Sequence, residues 1–282
     1  MNGRRLRHHV ITHFLLLIAA AIILFPVYVT VVASTQTADQ ILAGPMSLLP
    51  GAEAVGNYVQ ALAEGIAARG TPSVAVMMEN SLIMALGIAF GKIAISIISA
   101  FAVVYFRFPL RRIFFWMIFI TLMLPVEVRI FPTYKVVSDL GMINTYQGLI
   151  LPLIASATAT FLFRQFFLTV PEELTEAARI DGAGPLRFFV DILLPLSKTN
   201  IAALFVILFI YGWNQYLWPL LITNSRDIAT VVIGVKRMIG GADAATEWNI
   251  VMATTVLTML PPALVVIVMQ KWFVKGLVES EK

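Results

Sequence analysis

Charged side chains set inside long apolar runs are the residues with chemistry to offer, and there are few of them. Lys92 stands within the apolar run 81–106, and Arg129 follows the run 113–126. An ammonium facing hydrocarbon costs about 3 kcal/mol on insertion scales, so Lys92 must face protein or water. It either pairs with a group in another subunit or lines a polar pathway. Glu127 lies two residues from Arg129, but side chains at i,i+2 on a helix do not face each other. Arg129 is thus either an anchor at a helix end or a guanidinium open to a phosphate-bearing anion. Farther along, Trp213, Tyr216 and Trp218 fit an aromatic belt at the membrane interface, or a cavity wall that stacks on a polyol. The belt is the commoner arrangement. Asn214 and Gln215 between them suit hydrogen bonds between helices.

Covalent chemistry has little to work with. The chain has no cysteine, which removes thiolate nucleophiles, disulfides and Cys-ligated metals. His8, His9 and His13 cluster without a carboxylate, so no metal site is expected there. The string Gly87-Ile88-Ala89-Phe90-Gly91-Lys92-Ile93 lacks the spacing of a phosphate-binding loop. Its Gly87 and Gly91 form G-x-x-x-G instead, which lets helix backbones approach closely. No catalytic residue is expected.

These side chains must be positioned by membrane helices. Of the 282 residues, 59% are hydrophobic and 13% charged, and the mean hydropathy is +0.87. Soluble domains carry about 25% charged residues, so an ordinary globular enzyme is excluded. Six apolar windows approach the roughly 20 residues that cross a bilayer: 14–33, 81–106, 113–126, 148–167, 201–222 and 250–270. The third is short and is expected to continue past Pro125 toward Tyr134. The first is too long for the apolar core of a secretory signal and reads as a retained span. No Asp or Glu falls within any window. Ion- or proton-coupled transporters place carboxylates at midmembrane, so this acid-free interior implies an external energy source.

Orientation follows from the basic residues. With the N-terminus inside, the inner segments hold Arg4, Arg5, Arg7, Arg107, Arg111, Arg112, Arg164, Arg179, Arg187, Lys198, Lys271, Lys275 and Lys282. The outer ones hold only Arg69, Arg129, Lys135, Arg226, Lys236 and Arg237. Both termini are expected in the cytoplasm. The net charge of +4 is therefore a topology signal, and no nucleic-acid partner is expected.

The segment 170–195, VPEELTEAARIDGAGPLRFFVDILLP, falls on the inner side and is more organised than a connector needs to be. Pro171 suits the start of a helix, and Glu172 and Glu173 complement its dipole. Leu174, Ala177, Ala178 and Asp181 share a narrow face at i, i+3, i+4, i+7 spacing. Gly182, Gly184 and Pro185 break the chain before a second short helix near Leu186.

Glu176-Ala177-Ala178, then three residues, Gly182, then nine residues and Ile192-Leu193-Leu194-Pro195 resemble the EAA loop of ABC-importer permeases. The resemblance covers essentially the whole chain and is nearest to the six-span, MalG-like permeases of carbohydrate importers. It extends to Asn80-Ser81 and to 213–220, WNQYLWPL; Thr199 stands where a proline is common. The segments 106–111, 124–132 and 276–282 further resemble permeases of sn-glycerol-3-phosphate uptake.

The resemblance implies an all-α membrane protein with six transmembrane helices and a cytoplasmic coupling helix, the type I importer permease fold. It divides the chain into a cytoplasmic N-terminus (1–13), a permease domain (14–273, EAA loop about 169–196) and a cytoplasmic tail (274–282). Glu176, Ala177, Ala178, Asp181 and Gly182 would couple it to an ATPase. Lys92, Arg129, Trp213 and Asn214 are the pathway candidates. The implied partners are a second homologous permease, two copies of an ABC ATPase that binds ATP and Mg, a periplasmic binding protein and membrane lipid. The implied location is the bacterial inner membrane. Uptake of another sugar or polyol, or a standalone secondary transporter, are the other readings.

Overall fold

The computed structural model describes residues 2–66, 70–121, 124, 126–239 and 246–279, with no side-chain description for 2–8, 126, 127 and 273–279. Arg69, Pro125 and tail residues 280–282, used above for topology and boundaries, lie outside the described residues.

All the regular structure described is helical. The helices are α1 (Asn2–Ala33), α2 (Ala38–Leu42), α3 (Ala54–Ala63), α4 (Val74–Tyr105), α5 (Arg111–Ile120), α6 (Val126–Asp139) and α7 (Tyr146–Ile150). A 3-10 turn (Leu151–Leu153) leads to α8 (Ala157–Phe167), α9 (Glu172–Ile180) and α10 (Pro185–Phe188). After a π-helical turn (Phe189–Leu193) come α11 (Leu194–Leu196), α12 (Lys198–Trp213), α13 (Leu217–Ile222), α14 (Val231–Met238) and α15 (Trp248–Glu279).

The all-helical fold is as expected, whereas helix length and composition do not confirm the count of six spans among the described residues. Among the described residues, three stretches are long and apolar enough to cross a membrane: His9–Ala33, Val74–Tyr105 and Trp248–Trp272. The number rises to five if two bent pairs each count as a span: Tyr146–Leu153 with Ala157–Phe167, bent by 48°, and Pro185–Leu196 with Lys198–Trp213, bent by 70°. Local chemistry explains the first of these bends and the breaks inside the third and fifth windows. Pro152 tightens the fourth window into the 3-10 turn, and Ser156 starts α8 afresh, its Oγ accepting from the Ala159 N–H at 3.3 Å. The fifth window stops at Trp213, and Pro219 sits in the first turn of α13, where its missing N–H costs nothing. The third window is two helices, α5 and α6, separated where Pro125 disfavours a helical Leu124.

The chain forms two compact units. The first is Met1–Val76 with Gly234–Leu260. Its buried Asn57 ties the end of α1 down by donating to the Ser34 and Gln36 carbonyls, both at 2.9 Å, while its Oδ1 accepts from Asn249 at 2.8 Å.

The second unit, Met77–Ile233 with Pro261–Lys282, carries the residues of interest. Its core gathers Met84, Ile88, Ile130, Val137, Leu149, Trp218, Ile222 and Ile228. Close backbone approach makes this packing possible. A Cβ at Gly87 would lie 2.7 Å from Ile150 Cδ1, and one at Gly91 would lie 2.5 Å from Ile154 Cγ2. The G-x-x-x-G string is thus a packing seam, as its spacing predicts. Asn80 clamps the other end of α4. It donates to the carbonyls of Asp227 (2.8 Å) and Ala229 (3.0 Å), and accepts from the Tyr146 hydroxyl at 2.6 Å. Ser81 accepts from the Val231 N–H at 2.9 Å. The Asn80-Ser81 pair therefore pins the stretch after α13 rather than opening a span; α4 begins six residues earlier, at Val74.

Candidate functional site

Two constellations emerge in the second unit. The first is the helical loop. Pro171 caps α9, with Glu172 and Glu173 in its first turn and Arg179 in its last, charges that complement the helix dipole at both ends. The helix ends in a Schellman motif. Gly182 adopts φ +72°, its N–H donates to the Arg179 carbonyl (3.0 Å), and the Ala183 N–H donates to the Ala178 carbonyl (2.8 Å). A left-handed residue at this position is the reason the sequence needs glycine there. The second helix starts at Pro185 and continues through a π-helical turn into α11.

The exposed face of α9 differs from the one its periodicity suggests. Ala178 is buried at 5% exposure, so Leu174, Ala177, Ala178 and Asp181 do not form one outward surface. Ala178 packs inward, where only a small side chain lets α9 lie against the protein. Glu176, Ala177, Asp181 and Gly182 remain exposed. Sequence reasoning missed Ile180 (86% exposed) and Leu186 (74%), one on each arm of the loop. Both are large apolar residues that flank the turn at 181–185.

The second constellation is cationic. On α4, Ile88, Lys92 and Ser96 share the buried face at four-residue spacing, which carries Lys92 inward to 7% exposure. Its Nζ sits 3.7 Å from the centroid of the Tyr211 ring on α12. A desolvated cation–π contact contributes about 2 kcal/mol, which offsets much of the cost of the buried charge. Lys92 therefore has its partner within the chain, an arrangement the sequence reading did not include. Arg129 lies on α6 beside the buried face formed by Ile130 and Val137. Its side chain is exposed, and its charge acts on both Lys92 and Tyr211. Among the described residues, no carboxylate stands within ion-pair distance of Lys92 or Arg129.

The other candidates sit differently. Trp213 and Trp218 are buried at 4% and 3%, so neither belongs to a lipid-facing belt. Trp213 stacks on Phe209, with ring centroids 5.9 Å apart, and Trp218 donates to the Gly148 carbonyl at 3.0 Å. Asn214 is exposed at the end of α12, and Gln215 donates to the Tyr211 carbonyl one turn back, at 3.2 Å. That bond is local, not between helices. Tyr211, which sequence reasoning passed over, is the residue that holds the Lys92 ammonium.

Comparison with known proteins gives this geometry its context. Residues 92–279 match the family model described as the binding-protein-dependent transport system inner membrane component. The sn-glycerol-3-phosphate transport system permease protein UgpE of Brucella melitensis biotype 1 is 63% identical over 274 residues, 97% of each chain. The protein of that name from Rhizobium meliloti is 61% identical over 282 residues, the whole of both chains. That from Escherichia coli O1:K1 is 58% identical over 273 residues, 97% of each. The fold resembles that of a bacterial ABC transporter chain involved in import of the acidic polysaccharide alginate, with a TM-score of 0.83, 21% identity and coverage of 97% of this chain and 99% of that one. The chain belongs to the family of inner membrane components of binding-protein-dependent transport systems.

Proposed function

We propose that this permease forms part of the transmembrane path for sn-glycerol-3-phosphate, driven by ATP hydrolysis in a separate subunit. The observation that carries the substrate assignment is a pair of cations, the buried Lys92 held over the Tyr211 ring and the exposed Arg129 whose charge bears on both, with no carboxylate within ion-pair distance among the described residues. A neutral sugar has no use for a buried ammonium with a guanidinium nearby, whereas a phosphate monoester does. The names of relatives similar over nearly the full length support the same substrate. A standalone secondary transporter is disfavoured because the apolar windows hold no carboxylate to couple an ion.

In this reading, the exposed part of α9 and the apolar side chains Ile180 and Leu186 insert into a groove on the ATPase, which binds ATP and Mg. The complex contains a second, homologous permease, two ATPase copies and a periplasmic binding protein. Both termini and the loop 172–196 lie in the cytoplasm. The absence of cysteine allows a clean test of that orientation. Single cysteines at the exposed positions Ala52 and Gly184 are expected to react with an impermeant thiol reagent from opposite membrane faces. Labelling of both from one face contradicts the topology.

Genetic complementation tests the function. A bacterium lacking its own permease of this type, with the remaining subunits intact, is expected to regain growth on sn-glycerol-3-phosphate as sole phosphorus source when it expresses this chain. Assembly of the chain into the complex with no recovery of growth rules out the substrate.

A further inference from the structure

The second unit holds a cavity that transport chemistry leaves unexplained. It measures about 510 Å³, and Arg111, Arg112, Arg164 and Gln165 supply its polar lining. Aromatic rings of α5 and α8 complete it together with Val103, Val104 and Leu168, and none of the described lining residues is a carboxylate. The Arg164 guanidinium lies over the Phe115 ring, 4.2 Å from its centroid, and its buried Nε has no hydrogen-bond partner. Arg111 donates to the Phe106 carbonyl at 3.2 Å. Three arginines therefore converge on one cavity, with at least one N–H of Arg164 unsatisfied. A buried guanidinium donor without an acceptor is costly, so an anionic oxygen there would be strongly favoured.

Its place in the fold identifies the kind of anion. Two membrane segments end beside it. The last residue of α4, Tyr105, donates from its hydroxyl to the carbonyl of Phe167, the last residue of α8, at 3.4 Å. With α4 and α8 read as membrane segments, the cavity lies at their shared end, where hydrocarbon gives way to water. Along α5 the neighbouring surface is apolar: Ile113, Phe114, Trp116, Met117 and Ile120 are all about half exposed. A free inorganic phosphate would satisfy the arginines and leave that strip bare. A molecule with a phosphate head and acyl chains fits both.

We propose that the cavity is a binding site for the phosphate-bearing headgroup of an anionic phospholipid, held by Arg112 and Arg164 with its chains along α5. The site is separate from the Lys92 cluster and lies immediately before α9 in the chain, so lipid occupancy fixes the segment from which the loop departs. The proposal rests on the reading of this chain as a membrane permease but not on its substrate.

The test uses the complete importer in nanodiscs of equimolar phosphatidylglycerol and phosphatidylcholine, with retained lipid counted by native mass spectrometry. The intact complex is expected to retain phosphatidylglycerol preferentially, and Arg112→Gln with Arg164→Gln to lose that preference, roughly fivefold per arginine. Arg112 is exposed, so Arg112→Gln alone is decisive if the double variant does not assemble. Equal preference in variant and parent overturns the proposal, as does displacement of the retained lipid by added inorganic phosphate, which would identify a free-phosphate site. The readout involves no transport, so its failure leaves the glycerol-3-phosphate assignment standing, and failure of that assignment leaves the lipid site standing.

Discussion

Gly182→Val is expected to abolish most uptake while leaving the membrane helices inserted. Gly182 holds φ +72°, a conformation that costs an L-residue roughly 1–2 kcal/mol and a β-branched one more. The substituted turn must either bear that strain or open, losing the two hydrogen bonds that close α9, from Gly182 to Arg179 and from Ala183 to Ala178. Nothing lies within 4 Å of a Cβ built at Gly182, so the effect is conformational and confined to the loop. A penalty of this size lowers the population of the docking geometry roughly five- to thirtyfold. Gly184, two residues on, is the internal control. Its φ of −70° suits any residue and its Cβ position is equally open, so Gly184→Ala should transport at close to the parental rate. Uptake and binding-protein-stimulated ATPase activity, measured on equally assembled complexes, decide the matter. Normal activity in Gly182→Val shows that α9 is not the coupling element.

The second large effect is expected in the cationic cluster. Arg129→Gln should lower the maximal uptake rate of sn-glycerol-3-phosphate while the affinity of the isolated binding protein stays unchanged. Loss of a hydrogen bond to a charged group is worth about 1.5–3 kcal/mol, or roughly ten- to a hundredfold in rate at the transfer step. Arg129→Lys should recover part of the loss, since it keeps the charge without the two-pronged geometry. Lys92→Met should act in the same direction, because its volume fits the buried face of α4 while its charge is gone. Tyr211→Leu separates the roles of the two cations. It removes the ring beneath the Lys92 ammonium but leaves the exposed Arg129 in place, so its loss should resemble that of Lys92→Met. Native rates in both Arg129→Gln and Lys92→Met assign the pair to anchoring alone.

What the sequence reveals and what it hides differ for physical reasons. Uninterrupted apolar composition suffices to place α1, α4 and the start of α15. Pro171 and Gly182 mark the ends of α9 because each has backbone restrictions that other residues lack. The breaks at 151–156 and 214–216 are harder to read, since a window of mean hydropathy does not register a proline that tightens or restarts a helix. Nor does amphipathic spacing say which face meets protein. Ala178 shares its period with Leu174 and Asp181, yet it turns inward because α9 packs against its own unit. Trp213 and Trp218 carry the composition of an interfacial belt but are buried, with the Trp218 indole N–H satisfied by Gly148. The Lys92–Tyr211 contact joins positions 119 residues apart, counted from their numbers, and no local pattern announces it.

Uptake by the reconstituted transporter measures the central claim directly. Proteoliposomes that contain the second permease, the ATPase and, in the lumen or outside as orientation requires, the loaded binding protein are supplied with ATP and labelled sn-glycerol-3-phosphate, with and without this chain. The account predicts ATP-dependent accumulation only when the chain is present, and none of labelled glycerol under the same conditions. Accumulation of sn-glycerol-3-phosphate without the chain, or transport with it that proceeds equally well in the absence of ATP, contradicts the account.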